Sequence, residues 1–129
     1  MRLIVVTAAV GAVLLSACTP AAEPDARAAA ARFQSAVAER DLATACGMLS
    51  ERARQQLEGT TASTCVQALS RLDLSDAAVT SISVWGDNAQ ARLADGALFL
   101  AEFRTGWRVT AASCAFIGED LPYDCAVGG

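Results

Sequence analysis

The sequence predicts an α+β domain, with helices in its first half and an antiparallel sheet in its second. Three observations predict it. Between residues 25 and 72, apolar side chains recur at three- and four-residue spacing behind residues that cap helices; from Val79 onward they alternate; and the alternating runs are separated by turn-forming glycine and aspartate. A chain of 129 residues can bury one core of ordinary size and not two.

Charge and composition narrow the function classes. The formal net charge is −4, and a chain that neutralises a nucleic-acid backbone needs a basic face, so no nucleic acid is expected as partner. All ten basic residues are arginine, with no lysine and no histidine. The commonest general base at neutral pH, the commonest metal ligand and any Schiff-base lysine are thereby missing. Neither a metal nor a cofactor is expected.

The chain opens with Met1-Arg2 and an apolar run, Leu3 to Ala17. As a helix this run reaches only about 22 Å, short of the roughly 30 Å hydrocarbon core. It therefore reads as a signal-peptide segment over residues 1–17 rather than a membrane span. Leu15-Ser16-Ala17-Cys18 resembles the bacterial lipobox in all four positions. That resemblance implies cleavage between Ala17 and Cys18, with Cys18 becoming the first mature residue and carrying a thioether-linked diacylglycerol. The protein would then be held at the extracytoplasmic face of the cell membrane. The alternative is an ordinary secreted protein cleaved after Ala17, or near Ala8–Ala12, with Cys18 a spare thiol. Five cysteines are an odd number, and setting Cys18 aside leaves an even set, Cys46, Cys65, Cys114 and Cys125.

Residues 18–24, with two prolines, read as a short tether, and residues 25–129 as the folded domain. Asp25 is the expected N-cap of a helix over 26–40, whose Ala30, Phe33 and Val37 form one stripe. Asp41 caps a second helix, with Leu42, Ala45, Cys46 and Leu49 on one face. Ser50 begins a third, expected to run through Leu57 with Gly59 as its stop. Thr61 or Ser63 starts a fourth, in which Cys65, Val66, Leu69 and Leu72 repeat the spacing.

Four strands follow, marked by Ile82 and Val84; Ala89, Ala91 and Leu93; Phe99, Ala101 and Phe103; and Trp107, Val109 and Ala111. Gly86-Asp87-Asn88, Asp95-Gly96 and Thr105-Gly106 supply the turns, so the strands form a four-stranded antiparallel meander. Leu98 and Leu100 interrupt the alternation, which suggests a strand covered on both faces. The segment after Cys114 has no core periodicity and reads as a loop.

Four cysteines allow three pairings. Cys46 with Cys65 and Cys114 with Cys125 are favoured, the first stapling two short helices and the second tying down the C-terminal loop. Each such loop is worth roughly 3 kcal/mol on the chain-entropy model. Zinc and redox roles are disfavoured because no close paired spacing is present.

The stretch "GDNAQARLADGALFLAEFRTGWRVTAASC", the tail "PYDCAVGG" and the helical "DLATACGMLS" are similar to small actinobacterial lipoproteins of unassigned function. The resemblance covers most of residues 26–129; Ser113 departs from it where that pattern often has glycine. Helices followed by a meander also resemble the NTF2-like/cystatin-like cone, a fold that hosts isomerases, cyclases and plain binding modules. The enzyme reading it implies needs an inward carboxylate and an oxyanion donor. Glu102 and Tyr123 are the candidates, but Glu102 is opposite in parity to Phe99, Ala101 and Phe103, and Tyr123 belongs to the cysteine-tied tail. Asp87 and Asp95 read as turn residues, Trp85 and Trp107 as core rather than ligand-lining aromatics, and the arginines as a solvated surface, or at Arg27 and Arg32 a small membrane-facing pair. The function expected is thus a non-catalytic binding or accessory module at the cell surface, with a protein or an apolar small molecule as ligand.

Overall fold

The computed structural model of the protein describes residues 22–119 and 123–128. Four helices, α1 (Ala22–Ala38), α2 (Leu42–Met48), α3 (Glu51–Thr61) and α4 (Cys65–Arg71), precede five strands. These are β1 (Val79–Trp85), β2 (Asn88–Leu93), β3 (Gly96–Phe103), β4 (Gly106–Phe116) and β5 (Tyr123–Gly128), in one antiparallel sheet of order β1-β2-β3-β4-β5.

Side-chain caps define most of the helix ends. α1 begins at Ala22, so Asp25 lies inside its first turn rather than capping it. Pro24 is tolerated there because first-turn amides have no helical acceptor, and Glu23 and Asp25 suit the positive helix end. At its other end the Arg40 amide donates to Val37 and the Asp41 amide to Ala36, with Arg40 left-handed at φ 59°. That is the Schellman arrangement with arginine in the position glycine usually takes. Asp41 then caps α2, accepting from the Thr44 hydroxyl at 2.6 Å and the Thr44 amide at 3.2 Å. The two bonds hold its carboxyl below the usual carboxylate range.

Ser50 caps α3 through the Ala53 amide. The helix passes through Gly59 and ends at Ala62, left-handed at φ 50°, because one glycine in a helix costs only about 1 kcal/mol and does not oblige a stop. Thr64, rather than Thr61 or Ser63, caps α4 in a reciprocal capping box with Gln67. The buried face of α4 is Cys65, Ala68 and Leu69, while Val66 is exposed.

Two corrections concern the sheet. First, it has five strands, not four. The segment expected to be a loop forms β5, with Ala112 opposite Val127 and Cys114 opposite Cys125. Tyr123, Cys125 and Val127 do alternate with Asp124, Ala126 and Gly128, but only Val127 of them is buried, and it is the open edge of β4 that supplies the strand's hydrogen-bond partners. Second, β4 spends one residue more than β3 at two points, since Ala97, Phe99 and Leu100 face Cys114, Ala111 and Val109. These bulges fall at Thr110 and around Ser113, which stands at φ 51°. Each shifts the parity of the strand residues beyond it. Val109 and Ala112 therefore enter the main core, whereas Ala111 joins a separate cluster with Ala97 and Cys114.

The same cluster takes Phe99, packed edge-on against Tyr123 at 5.1 Å. In β3 it is Leu98 and Leu100 that belong to the main core, not the set Phe99, Ala101 and Phe103. Phe33 of α1, Leu69 of α4 and Leu98, Leu100 and Val109 of the sheet are fully buried in that main core. Disulfides join Cys46 to Cys65, linking α2 to α4, and Cys114 to Cys125, linking β4 to β5.

Candidate functional site

A concave surface lies where the α2–α3 junction meets the β3–β4 turn. Leu49 leaves α2 in an extended conformation and bridges Val109, and the Ser50 amide donates to the Val109 carbonyl at 2.8 Å. The junction thus occupies the edge of β4 beside residues that β5 does not pair. Arg108 fastens the arrangement, donating to the Gly47 carbonyl and, at 3.3 Å, to the Thr105 hydroxyl.

On one side of Arg108 is a cleft of about 580 Å³, lined by Ser50, Arg52, Arg54, Gln55 and Phe103. On the other is one of about 550 Å³, lined by Asp25, Arg32, Thr44, Glu102 and Trp107. Both are open. Arg54 is paired with Glu58 at 3.6 Å, the ion pair found among the described residues. Phe103 is 49% exposed. On the neighbouring β1–β2 turn Trp85 is 51% exposed, and the two turns are linked by the Glu102 amide donating to the Asp87 carbonyl at 2.8 Å.

Residues singled out by sequence are not brought together as an acid–base pair. Glu102 pairs with Trp107 beside the β3–β4 turn and is exposed, although it has the parity of buried Leu98 and Leu100, not the solvent parity expected. The Tyr123 backbone pairs with Phe116 at the far end of the sheet, but its ring packs on Phe99 and its hydroxyl accepts from Gln90 at 2.7 Å, on the sheet face opposite that of Glu102. Trp107 is in the core, whereas Trp85 is not. Ala17 and Cys18 lie outside the described residues.

A polar node that the sequence pattern does not reveal holds the segment between α4 and β1. The Gln34 amide donates to the carbonyls of Ser75 (3.0 Å) and Ala77 (2.7 Å). The Ser75 hydroxyl donates to both Asp95 oxygens (2.7 and 2.8 Å), and the Ser75 amide donates to the Ser113 hydroxyl at 2.8 Å. One signal was available: Gln34, 4% exposed, stands four residues after buried Ala30, a polar group on the core-facing stripe of α1. Asp95 is therefore more than a turn residue.

The node makes Ser113 informative. Its left-handed backbone costs a non-glycine residue on the order of 1 kcal/mol, and its hydroxyl returns a similar amount through the Ser75 amide. Ser113→Gly loses the bond but relieves the backbone and should stay within about 1 kcal/mol of the parent. Ser113→Ala loses the bond and keeps the strain, and should cost about 1–2 kcal/mol. Urea midpoints of the two variants check this, and equal losses would show that the backbone at Ser113 is unstrained.

No family model matches the chain, and neither a curated protein nor a solved structure matches it. Among the described residues no helix is long and apolar enough to cross a membrane.

Proposed function

We propose that the protein is a lipid-anchored extracytoplasmic module with a non-catalytic binding or accessory role, attached through Cys18 and presenting the clefts around Arg108. The observation that carries the reading is the cysteine pairing. The two disulfides account for four of the five cysteines, so Cys18 has no cysteine left to pair with in its own chain. Disulfides also suit an oxidising, extracytoplasmic compartment. Separation of Glu102 from Tyr123, on opposite faces of the sheet, supports binding over acid–base chemistry. A helical half and an antiparallel meander sharing one buried cluster support the likeness to an NTF2-like/cystatin-like cone.

The experiment compares the wild-type chain with Cys18→Ala in cells. The wild-type protein is expected in the membrane fraction, to partition into the detergent phase, and to yield an acylated N-terminal cysteine by mass spectrometry. Cys18→Ala should lose the acyl mass and the detergent partitioning, since the two acyl chains of a diacylglycerol anchor far more firmly than a single one. Equal detergent partitioning of both proteins sinks the proposal.

A further inference from the structure

The anchor and the fold together fix which end of the domain meets the membrane. α1 begins at Ala22, so only residues 19–21 separate it from Cys18. Four extended steps reach at most about 14 Å. The start of α1 lies beside the β3–β4 turn, because Asp25 and Thr105 line the same cleft. The β1–β2 turn is at this end too, joined by the hydrogen bond between Glu102 and Asp87. These two turns carry two exposed aromatic rings, Phe103 and Trp85; Phe116, also exposed, ends β4 at the far end of the sheet, beyond the reach set by the tether.

We infer that this end of the sheet docks on the bilayer surface, with Trp85 and Phe103 entering the headgroup region; the inference rests on the lipid anchor at Cys18. A tryptophan with an apolar body and one N–H donor suits a boundary that is apolar on one side and wet on the other. Burial of the rings, not net charge, provides the attraction, because at this end Asp25, Glu51, Asp87 and Glu102 offset Arg32, Arg52, Arg104 and Arg108, and Arg54 is paired with Glu58. The partner is therefore a zwitterionic phospholipid surface, and the contact persists at high salt.

The test uses the full lipidated chain in phosphatidylcholine vesicles, with acyl chains brominated near the headgroup or unbrominated. The sequence has two tryptophans, and Trp107 is only 9% exposed, so Trp85 dominates contact quenching. Emission is expected to shift to shorter wavelength on vesicle binding and to lose intensity when the lipid is brominated, in low and high salt. A Trp85→Phe variant, altered at an exposed position, should still sediment with the vesicles but show no bromine-dependent loss. Vesicle-bound protein whose emission is the same in both lipids overturns the docking and leaves the anchor standing. Lipidated chain that fails to sediment with vesicles overturns both. A loss that persists in Trp85→Phe also overturns the docking, since it would then come from Trp107.

Discussion

Replacing Phe33 with alanine should destabilise the domain by about 3–5 kcal/mol, the usual cost of emptying a buried aromatic site. The size of the effect follows from the composition of α1. Its buried positions are Ala26, Ala30, Phe33, Gln34, Ala36 and Val37, so three-carbon residues supply helix propensity but little area to bury. Phe33 is the one large apolar side chain on that face, and it is fully buried in the main cluster with Leu69, Leu98, Leu100 and Val109. No small neighbour on α1 can expand to fill the space. Against a total stability of about 5–15 kcal/mol for a domain of this class, the loss is a large share. Urea unfolding of the variant should show a lower midpoint at an unchanged slope. A loss under about 1 kcal/mol would mean that α1 is held by something other than this side chain.

The success and failure of reading this fold from its sequence divide along one physical line. Interactions between near neighbours in the chain leave a pattern: Asp41, Ser50 and the helix behind each were readable because a cap contacts the amide three residues on. The turns at Gly86-Asp87 and around Gly106 were readable for a similar reason, as backbone demand falls on one or two residues of restricted type. Features that could not be read depend on partners far along the chain. β5 exists because β4 offers an edge to pair with, and the faces of Ala111 and Phe99 depend on bulges that leave no mark in an alternating sequence. Of the cysteines, the pairing of Cys46 with Cys65 and Cys114 with Cys125 was legible as the favoured one of three. The bond from Arg108 to Gly47, which spans 61 positions, was not. Nor was the exposure of Trp85 and Phe103, since strand aromatics are more often core than surface.

Breaking the Cys46–Cys65 bond should lower stability by about 3 kcal/mol, the loop-closure entropy returned to the unfolded chain by a 19-residue separation. Two terms must be separated, because Cys46 and Cys65 are also buried core residues. In the double variant Cys46→Ala/Cys65→Ala the loss includes packing around the missing sulfur atoms. Selective reduction of the wild-type bond keeps those atoms and reports the crosslink alone. α4 is short, with seven residues, and isolated helices of that length do not persist in water. Its place therefore depends on Leu69 in the core and on the bond to α2, and α4 should be the first element to lose protection in hydrogen exchange once the bond is open. The Cys114–Cys125 bond closes a separation of 11 and joins strands already paired in register, so its removal should cost slightly less and loosen β5 rather than the helices. Urea midpoints of the oxidised, reduced and double-variant proteins, read beside amide exchange in α4 and β5, check both statements. Reduced and oxidised proteins that unfold at the same urea concentration would show that the unfolded chain gains nothing from losing the crosslink.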